Sequence, residues 1–158
     1  MANLTVTITE SVTLNGTARG STNTLTVSGV DDIYHRIVTV PASGDTTLAV
    51  FHAAVSTSDS SLDAENVKYI RCTNMDGSNS VNLSLQIDAG EDDSAADAST
   101  TILLEAGKSF IMGSPSDGIA TDDDAATVIT TLNNLESILV DSGSNAVQME
   151  VFIASVVA

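Results

Sequence analysis

The sequence has no tryptophan, only five other aromatic residues, a single cysteine and five basic side chains. Each scarcity excludes something. With so little aromatic bulk, the interior must be built from Val, Ile, Leu and Ala, which suits a thin sandwich of sheets. The lone Cys72 rules out an intrachain disulfide; it sits in an apolar run and reads as a small core residue. Arg19, Arg36, Lys68, Arg71 and Lys108 stand against 21 acidic residues, for a formal charge of −16. Phosphate binding needs clustered Lys and Arg, so nucleic acid is excluded as a partner, and an anionic membrane repels such a surface. No apolar run approaches the roughly 18 residues a membrane-spanning helix needs. The opening MANLTVTITE has neither a basic region nor an apolar signal core. The expectation is a chain made in the cytosol that neither follows the general secretory route nor spans a membrane. The acidity serves solubility, suits a salty medium that screens self-repulsion, or marks an exposed particle surface that must not aggregate.

What is present points to sheet. Thr, Val, Ile and Ser dominate while strong helix formers are scarce, so the fold class is all-β. A chain of 158 residues is within the single-domain range, and one β-sandwich domain over residues 1–158 is expected. From Leu4 to Leu14 the even positions are Leu, Val, Ile, Glu, Val and Leu, and the odd ones are all Thr or Ser. That period of two is a half-buried strand, with Glu10 demanding a bulge, a kink, a break or burial at a subunit contact. Asn15-Gly16 favours a tight turn, and Asn23 to Ser28 returns, so about residues 1–28 form an N-terminal β-hairpin or arm placed to contact a neighbouring subunit.

Further strands are expected at Ile33–Val40, ended by Pro41, and at Thr47–Val55. The stretch VKYIRCTNMDGSNSVNLSLQI, Val67 to Ile87, reads as a hairpin: Ile70 and Cys72 share one face of its first run, and Val81, Leu83, Leu85 and Ile87 one face of its second. ILLEAGKSFIMG repeats the strand, turn, strand pattern. LESILVDSGSNAVQMEVFIAS closes the chain as another hairpin, with Val147, Met149, Val151 and Ile153 on one face. Between them, Asp122 to Asp124 offer a helix cap, which leaves room for one helical turn at Leu132–Leu135 despite the β-branched run before it. About eight strands joined by Gly, Ser and Asp turns give an antiparallel β-sandwich or jelly roll.

The residues offer little chemistry. AGKS at Ala106–Ser109 lacks the earlier glycine of a phosphate loop, since position 102 is Ile102, and strand rather than helix follows it. Asp31, Asp32, His35 and His52 match no metal-site spacing, and GSPSDG does not fit a nucleophile elbow. Glu91-Asp92-Asp93 and Asp122-Asp123-Asp124 are the best calcium candidates, yet neither follows the EF-hand pattern and both read as solvated loops. Asn3, Asn15 and Asn82 fit glycosylation sequons without a secretory context. No catalytic residue, metal ligand or cofactor site is expected, and the chain reads as a non-enzyme.

IRCTNMDGSNSVNLSLQI, LLEAGKSFIMG and LESILVDSGSNAVQMEVFIAS together resemble the virion structural proteins of tailed, marine-type bacteriophages, the group that includes capsid decoration or cement proteins. The motifs are Thr-Asn-x-Asp at Thr73, Asn74 and Asp76, Leu-x-x-Gly-x-Ser at Leu104, Gly107 and Ser109, and the closing pair at Ile138–Val140 and Val147–Ala154. LTVTITESVTLNGTARGSTNTLTV and IVTVP are similar to the opening of such proteins. The resemblance implies a small β-sandwich present in many copies on the particle, as capsid decoration or in tail and fibre, and it brings no catalytic residues.

No repeat or helical stalk of the kind a fibre needs is present, which favours decoration of the outer capsid surface with the major capsid protein lattice as partner. A homo-oligomer is expected, and a trimer would match lattice threefold positions. The expected interface residues are Leu4, Val6 and Ile8, which would add a strand or apolar stripe to a neighbour, with Arg19 and Arg36 among the cations that meet an acidic capsid patch or form weak surface pairs. A tail, neck or fibre component is the alternative within that group; a carbohydrate- or calcium-binding sandwich is the alternative of another class.

Overall fold

The computed structural model describes residues 1–52, 61–88, 96, 98–122 and 128–157. Thirteen strands follow one another: β1 (Ala2–Thr9), β2 (Val12–Leu14), β3 (Thr17–Arg19), β4 (Thr22–Val30), β5 (Asp32–Val40), β6 (Asp45–His52), β7 (Leu62–Asp63), β8 (Val67–Asn74), β9 (Val81–Asp88), β10 (Ala98–Leu104), β11 (Ser109–Met112), β12 (Asn134–Asp141) and β13 (Val147–Ser155). Among the described residues there is no helix. The helical turn expected at Leu132–Leu135 is absent: Asn133 bridges to Ile119 through N–H···O bonds of 2.7 and 3.3 Å, and β12 starts at Asn134. Long-range pairing overrides the local cap there.

Eight strands form a jelly roll. One sheet runs β10-β9-β12-β6 with the short β7 parallel to β6 at its end, and the other runs β11-β8-β13-β5. First pairs with last (β5 with β13), second with seventh (β6 with β12), third with sixth (β8 with β11) and fourth with fifth (β9 with β10), all antiparallel. That nesting is a folded double ribbon wound into two sheets.

The topology corrects three local readings. Val67–Ile87 is not a hairpin: β8 and β9 lie in different sheets, and the turn between them carries the chain across the sandwich. The same holds for β10 with β11 and for β12 with β13. Alternation reports which side chains share a face, and both arrangements bury the same face; only non-local partners decide between them.

The apolar faces are where the period of two puts them. Val81, Leu83, Leu85 and Ile87 of β9, Ile70 and Cys72 of β8, and Val147, Met149, Val151 and Ile153 of β13 are all buried, with Phe51 and Leu135 among the larger side chains of the core. Leu48 and Ala49 are buried in succession because the ladder slips between Ile138 and Leu139, adding one residue on β6.

Two turns are locked together by the residues of the two turn motifs. Asn74 is fully buried; its side-chain amide donates to Asn79 O (2.8 Å) and Leu104 O (3.1 Å), and its Oδ1 accepts from Asp76 N (3.0 Å). Gly107 N donates to Asn74 O, Asn74 N to Lys108 O, and Thr73 and Ser109 share a hydroxyl bond of 2.8 Å. Asp76 Oδ1 accepts from Ser78 N, Asn79 N and Asn79 Nδ2, and these bonds hold its carboxyl below the usual range. The corner after β8 is thereby fastened to the corner before β11.

Candidate functional site: the N-terminal ribbon

Residues 2–30 stand apart from the jelly roll as a two-stranded ribbon. β1 pairs with β4, β2 with β3, and neither pair joins another sheet. Asn15 (φ 52°) and Gly16 (φ 76°) make the tight turn at its tip, both left-handed as such a turn requires. Glu10 and Ser11 leave the ladder on one strand and Gly20 and Ser21 on the other, so the strand break that Glu10 demands crosses the whole ribbon. Glu10 N–H donates to Ser21 O (2.9 Å) and the Ser21 hydroxyl to Glu10 Oε2 (2.7 Å). Gly20 is needed at this bend, because a Cβ there would lie 2.1 Å from the Glu10 carbonyl oxygen.

The register divides the ribbon into two unlike faces. Thr5, Thr7 and Thr9 sit opposite Thr26, Thr24 and Thr22, a threonine face tied by hydroxyl contacts of 3.4 and 3.3 Å at the last two pairs. On the other face Leu4 lies opposite Val27, Val6 opposite Leu25, and Ile8 opposite Asn23. The half of this face near the sandwich is in use: Leu4, Val6 and Val27 pack with Phe152 and Val156 around Tyr69, Ala154 and Val30. β8 and β13 are therefore covered on both faces, by the sandwich core and by the ribbon. Ile8 and Leu25 on this face, and Val12 and Leu14 beyond the Glu10–Ser21 break, are between 46% and 60% exposed.

A polar cluster flanks the ribbon's base. Glu150 binds Arg71 Nη1 at 2.7 Å and His35 Nε2 at 2.9 Å, and these bonds, Arg71's first, hold its carboxyl below the usual glutamate range. His35 and Arg71 both lie against the Phe152 ring, which meets Tyr69 edge-on. Burial raises the Tyr69 hydroxyl, with Arg71 acting the other way.

Of the residues expected at an interface, Leu4 and Val6 are occupied within the chain, Ile8 is exposed, Arg19 lies on the ribbon tip opposite Val12, and Arg36 stacks over the Tyr34 ring at 4.9 Å. Arg71 is ion-paired and Lys68 donates to Glu65 O. Val12, Leu14 and Leu25 were open to sequence reasoning: the first two continue the even-numbered apolar series beyond Glu10, and Leu25 lies in the returning run.

No group of three or more His, Cys, Asp or Glu residues able to hold a metal is present among the described residues. Asp31 Oδ2 accepts from Val157 N and Asp32 Oδ1 from Ile33 N. Glu91, Asp92, Asp93, Asp123 and Asp124 lie outside the described residues. An open cleft of about 330 Å³ runs between the Ser78–Ser80 and Asp141–Asn145 turns; Asp141 is its titratable lining residue, and its Oδ1 is engaged by Gly143 N. Cys72 is buried, and burial pushes its thiol up to about 12.

No family model matches the chain, and no curated protein matches it. One solved structure, from work describing Bacillus endospore appendages as a novel family of disulfide-linked pili, is 11% identical, with 79% of this chain and 89% of that chain covered at a TM-score of 0.36. A likeness of that degree carries no argument about function.

Proposed function

We propose that the chain is a non-enzymatic virion structural protein that decorates the outer surface of a capsid, with the jelly roll as the exposed body and the ribbon as the device that ties it to a neighbouring subunit of the particle. The observation that carries this reading is the set of four half-exposed apolar side chains on the ribbon, Ile8, Val12, Leu14 and Leu25, on an otherwise acidic molecule. A two-stranded ribbon is marginal in water on its own, and half-exposed branched side chains along it are what a strand-adding arm presents to a partner. Its charges, Glu10 and Arg19, cancel, so the whole formal charge of −16 belongs to the rest of the chain. The arm can approach another surface without the repulsion the body generates.

The magnitudes favour an array over a lone contact. Burying the remaining exposed half of four such side chains is worth about 1 kcal/mol each. About 4 kcal/mol barely offsets the loss of translational and rotational freedom on association. Many arms engaged on one lattice overcome this by avidity, and a protein that binds only the assembled shell stabilises that state by linkage.

Copy number in purified particles tests the proposal. Quantitative densitometry against the major shell protein should give one copy per shell subunit or per few subunits. A few dozen copies per particle would place the chain in tail, neck or fibre and overturn decoration. Complete absence would overturn the virion reading.

A further inference from the structure

The ribbon tip joins two properties that conflict chemically. The turn between β2 and β3 needs two left-handed residues, and Asn15 (φ 52°) and Gly16 (φ 76°) meet that need at little steric cost. Asparagine followed by glycine is also the dipeptide whose side-chain amide is most open to attack by the next backbone nitrogen, because glycine has no Cβ to hinder ring closure. Asparagine counts among the thermolabile residues, and Asn15-Gly16 is the only Asn-Gly pair in the chain.

The fold leaves this pair free. Both residues are exposed, and a Cβ placed on Gly16 would meet nothing within 4 Å. Among the described residues no group hydrogen-bonds the Asn15 side chain or accepts the Gly16 N–H. β2 and β3 are three residues long and pair only with each other. The break at Glu10–Ser11 and Gly20–Ser21 separates them from the β1–β4 ladder. An isolated two-stranded pair is marginal in water, so the tip opens at small cost and the Gly16 peptide can turn toward the Asn15 side chain.

The rival positions are held. Asp76-Gly77 and Asp117-Gly118 could close the same ring. Asp76 Oδ1 accepts from Ser78 N, Asn79 N and Asn79 Nδ2, which fixes its carboxylate, and the Gly118 N–H is committed to Asn133 O at 3.1 Å. Asn74 and Asn79 spend their side-chain amides at the corner after β8, Asn66 donates to Asp63 at 2.9 Å, and Asn134 Oδ1 accepts from Asp117 N. Asn3, Asn23 and Asn82 lie in paired strands, followed by Leu4, Thr24 and Leu83.

We propose that Asn15 is a site of spontaneous deamidation in the folded protein, and that the product changes the ribbon tip in charge and in backbone length. The Gly16 nitrogen bonds to Asn15 Cγ as the Cγ–Nδ2 bond breaks. The Gly16 proton ends on the departing nitrogen, which leaves as ammonia. Water then opens the cyclic imide, and nothing is oxidised or reduced. Breaking the bond from Gly16 N to Cγ gives aspartate; breaking the bond from Gly16 N to the Asn15 backbone carbonyl carbon gives isoaspartate, with the main chain routed through Cγ. Both products add one negative charge to a ribbon whose Glu10 and Arg19 otherwise cancel, so the body's repulsion spreads to the tip. Isoaspartate also lengthens the backbone by one carbon, and the loop then no longer fits the tight turn that sets the Leu14–Thr17 pairing. The site stands whatever the ribbon attaches to.

Peptide mass spectrometry on the full-length folded protein, sampled during incubation at mildly alkaline pH beside a urea-unfolded sample, tests this. Amide should turn to acid at Asn15 ahead of every other asparagine, with aspartate and isoaspartate both present. Amide exchange on the isoaspartate form should quicken at Val12–Leu14 and Thr17–Arg19 and stay unchanged in β8, β9 and β13. Asn15→Gly keeps a residue suited to the left-handed turn and should show neither the conversion nor the faster exchange. Asn15→Asp carries the charge without the longer backbone and should exchange at the tip like unconverted wild type. Conversion in urea while the native chain stays intact would show that the fold protects Asn15 and would overturn the proposal. Earlier conversion at another asparagine, or an isoaspartate tip that exchanges like the unconverted one, would overturn it as well.

Discussion

Replacing Asn74 with Leu keeps the side chain's size and removes all of its hydrogen bonds. Asn74 donates to Leu104 O at 3.1 Å and to Asn79 O at 2.8 Å, and accepts from Asp76 N at 3.0 Å. The residue is completely buried, so the partners it abandons are not all rescued by water. A net hydrogen bond is worth about 1 kcal/mol, and a buried group left unpaired costs about 1–3 kcal/mol. Leu104 O falls in the second class, and the other two partners are partly buried and fall nearer the first. Together these give a destabilisation of about 3–5 kcal/mol, a large share of the roughly 5–15 kcal/mol of a typical domain. Urea unfolding followed by circular dichroism measures it, with the wild-type m-value retained. For a domain of this size, thermal unfolding should fall by roughly 6–20 °C, taking about 2–4 °C per kcal/mol. Asn82→Leu, on the exposed face of β9, is the control and should stay within about 0.5 kcal/mol of wild type. A loss below about 1 kcal/mol for Asn74→Leu would refute the claim that this side chain fastens the two corners.

Three further outcomes follow from named contacts. Cys72, buried in the core with its thiol pushed up to about 12, should not react with a thiol reagent at neutral pH until the protein is unfolded. Glu150 is held below the ordinary glutamate range by Arg71 and His35, so its contribution is fully present above about pH 4.3 and is lost as pH falls through the folded value. The stability gap between wild type and Glu150→Gln, about 1 kcal/mol at neutral pH for a partly exposed cluster, should close on acidification, and a gap that widens would contradict the assignment. Gly20→Ala drives a Cβ into the Glu10 carbonyl and should speed amide exchange at Val12–Arg19 while leaving exchange in β8, β9 and β13 unchanged.

The sequence made faces legible and left partners hidden. Val147, Met149, Val151 and Ile153 announce their buried face through strict alternation, and every one is in the core. The same alternation says nothing about whether β8 neighbours β9 in one sheet or faces it across the sandwich, because both arrangements bury the same side chains; the nested order emerges only from pairs far apart in sequence. Tyr69, Phe152 and Ala154 are apolar at positions that should be wet, and that departure from alternation is the one local trace of the ribbon lying on the outer face. Leu48 and Ala49 break the period because of a slip in the ladder, which a single strand's pattern does not encode. At the ribbon, the even-numbered apolar series from Leu4 to Leu14 was readable, but its division into an occupied part and an exposed part depends on where the sandwich ends beneath it.

The most direct measurement is cosedimentation of the protein with particles stripped of their own copies, comparing wild type with the variant Ile8→Thr/Val12→Thr/Leu14→Thr/Leu25→Thr. These four side chains are exposed, so the variant should melt at the wild-type temperature. The account predicts saturable pelleting of the wild type, in fixed ratio to the shell protein, and a variant that remains in the supernatant. Equal pelleting of both proteins, or a wild type that never pellets, would contradict the assignment of the ribbon as the attachment device.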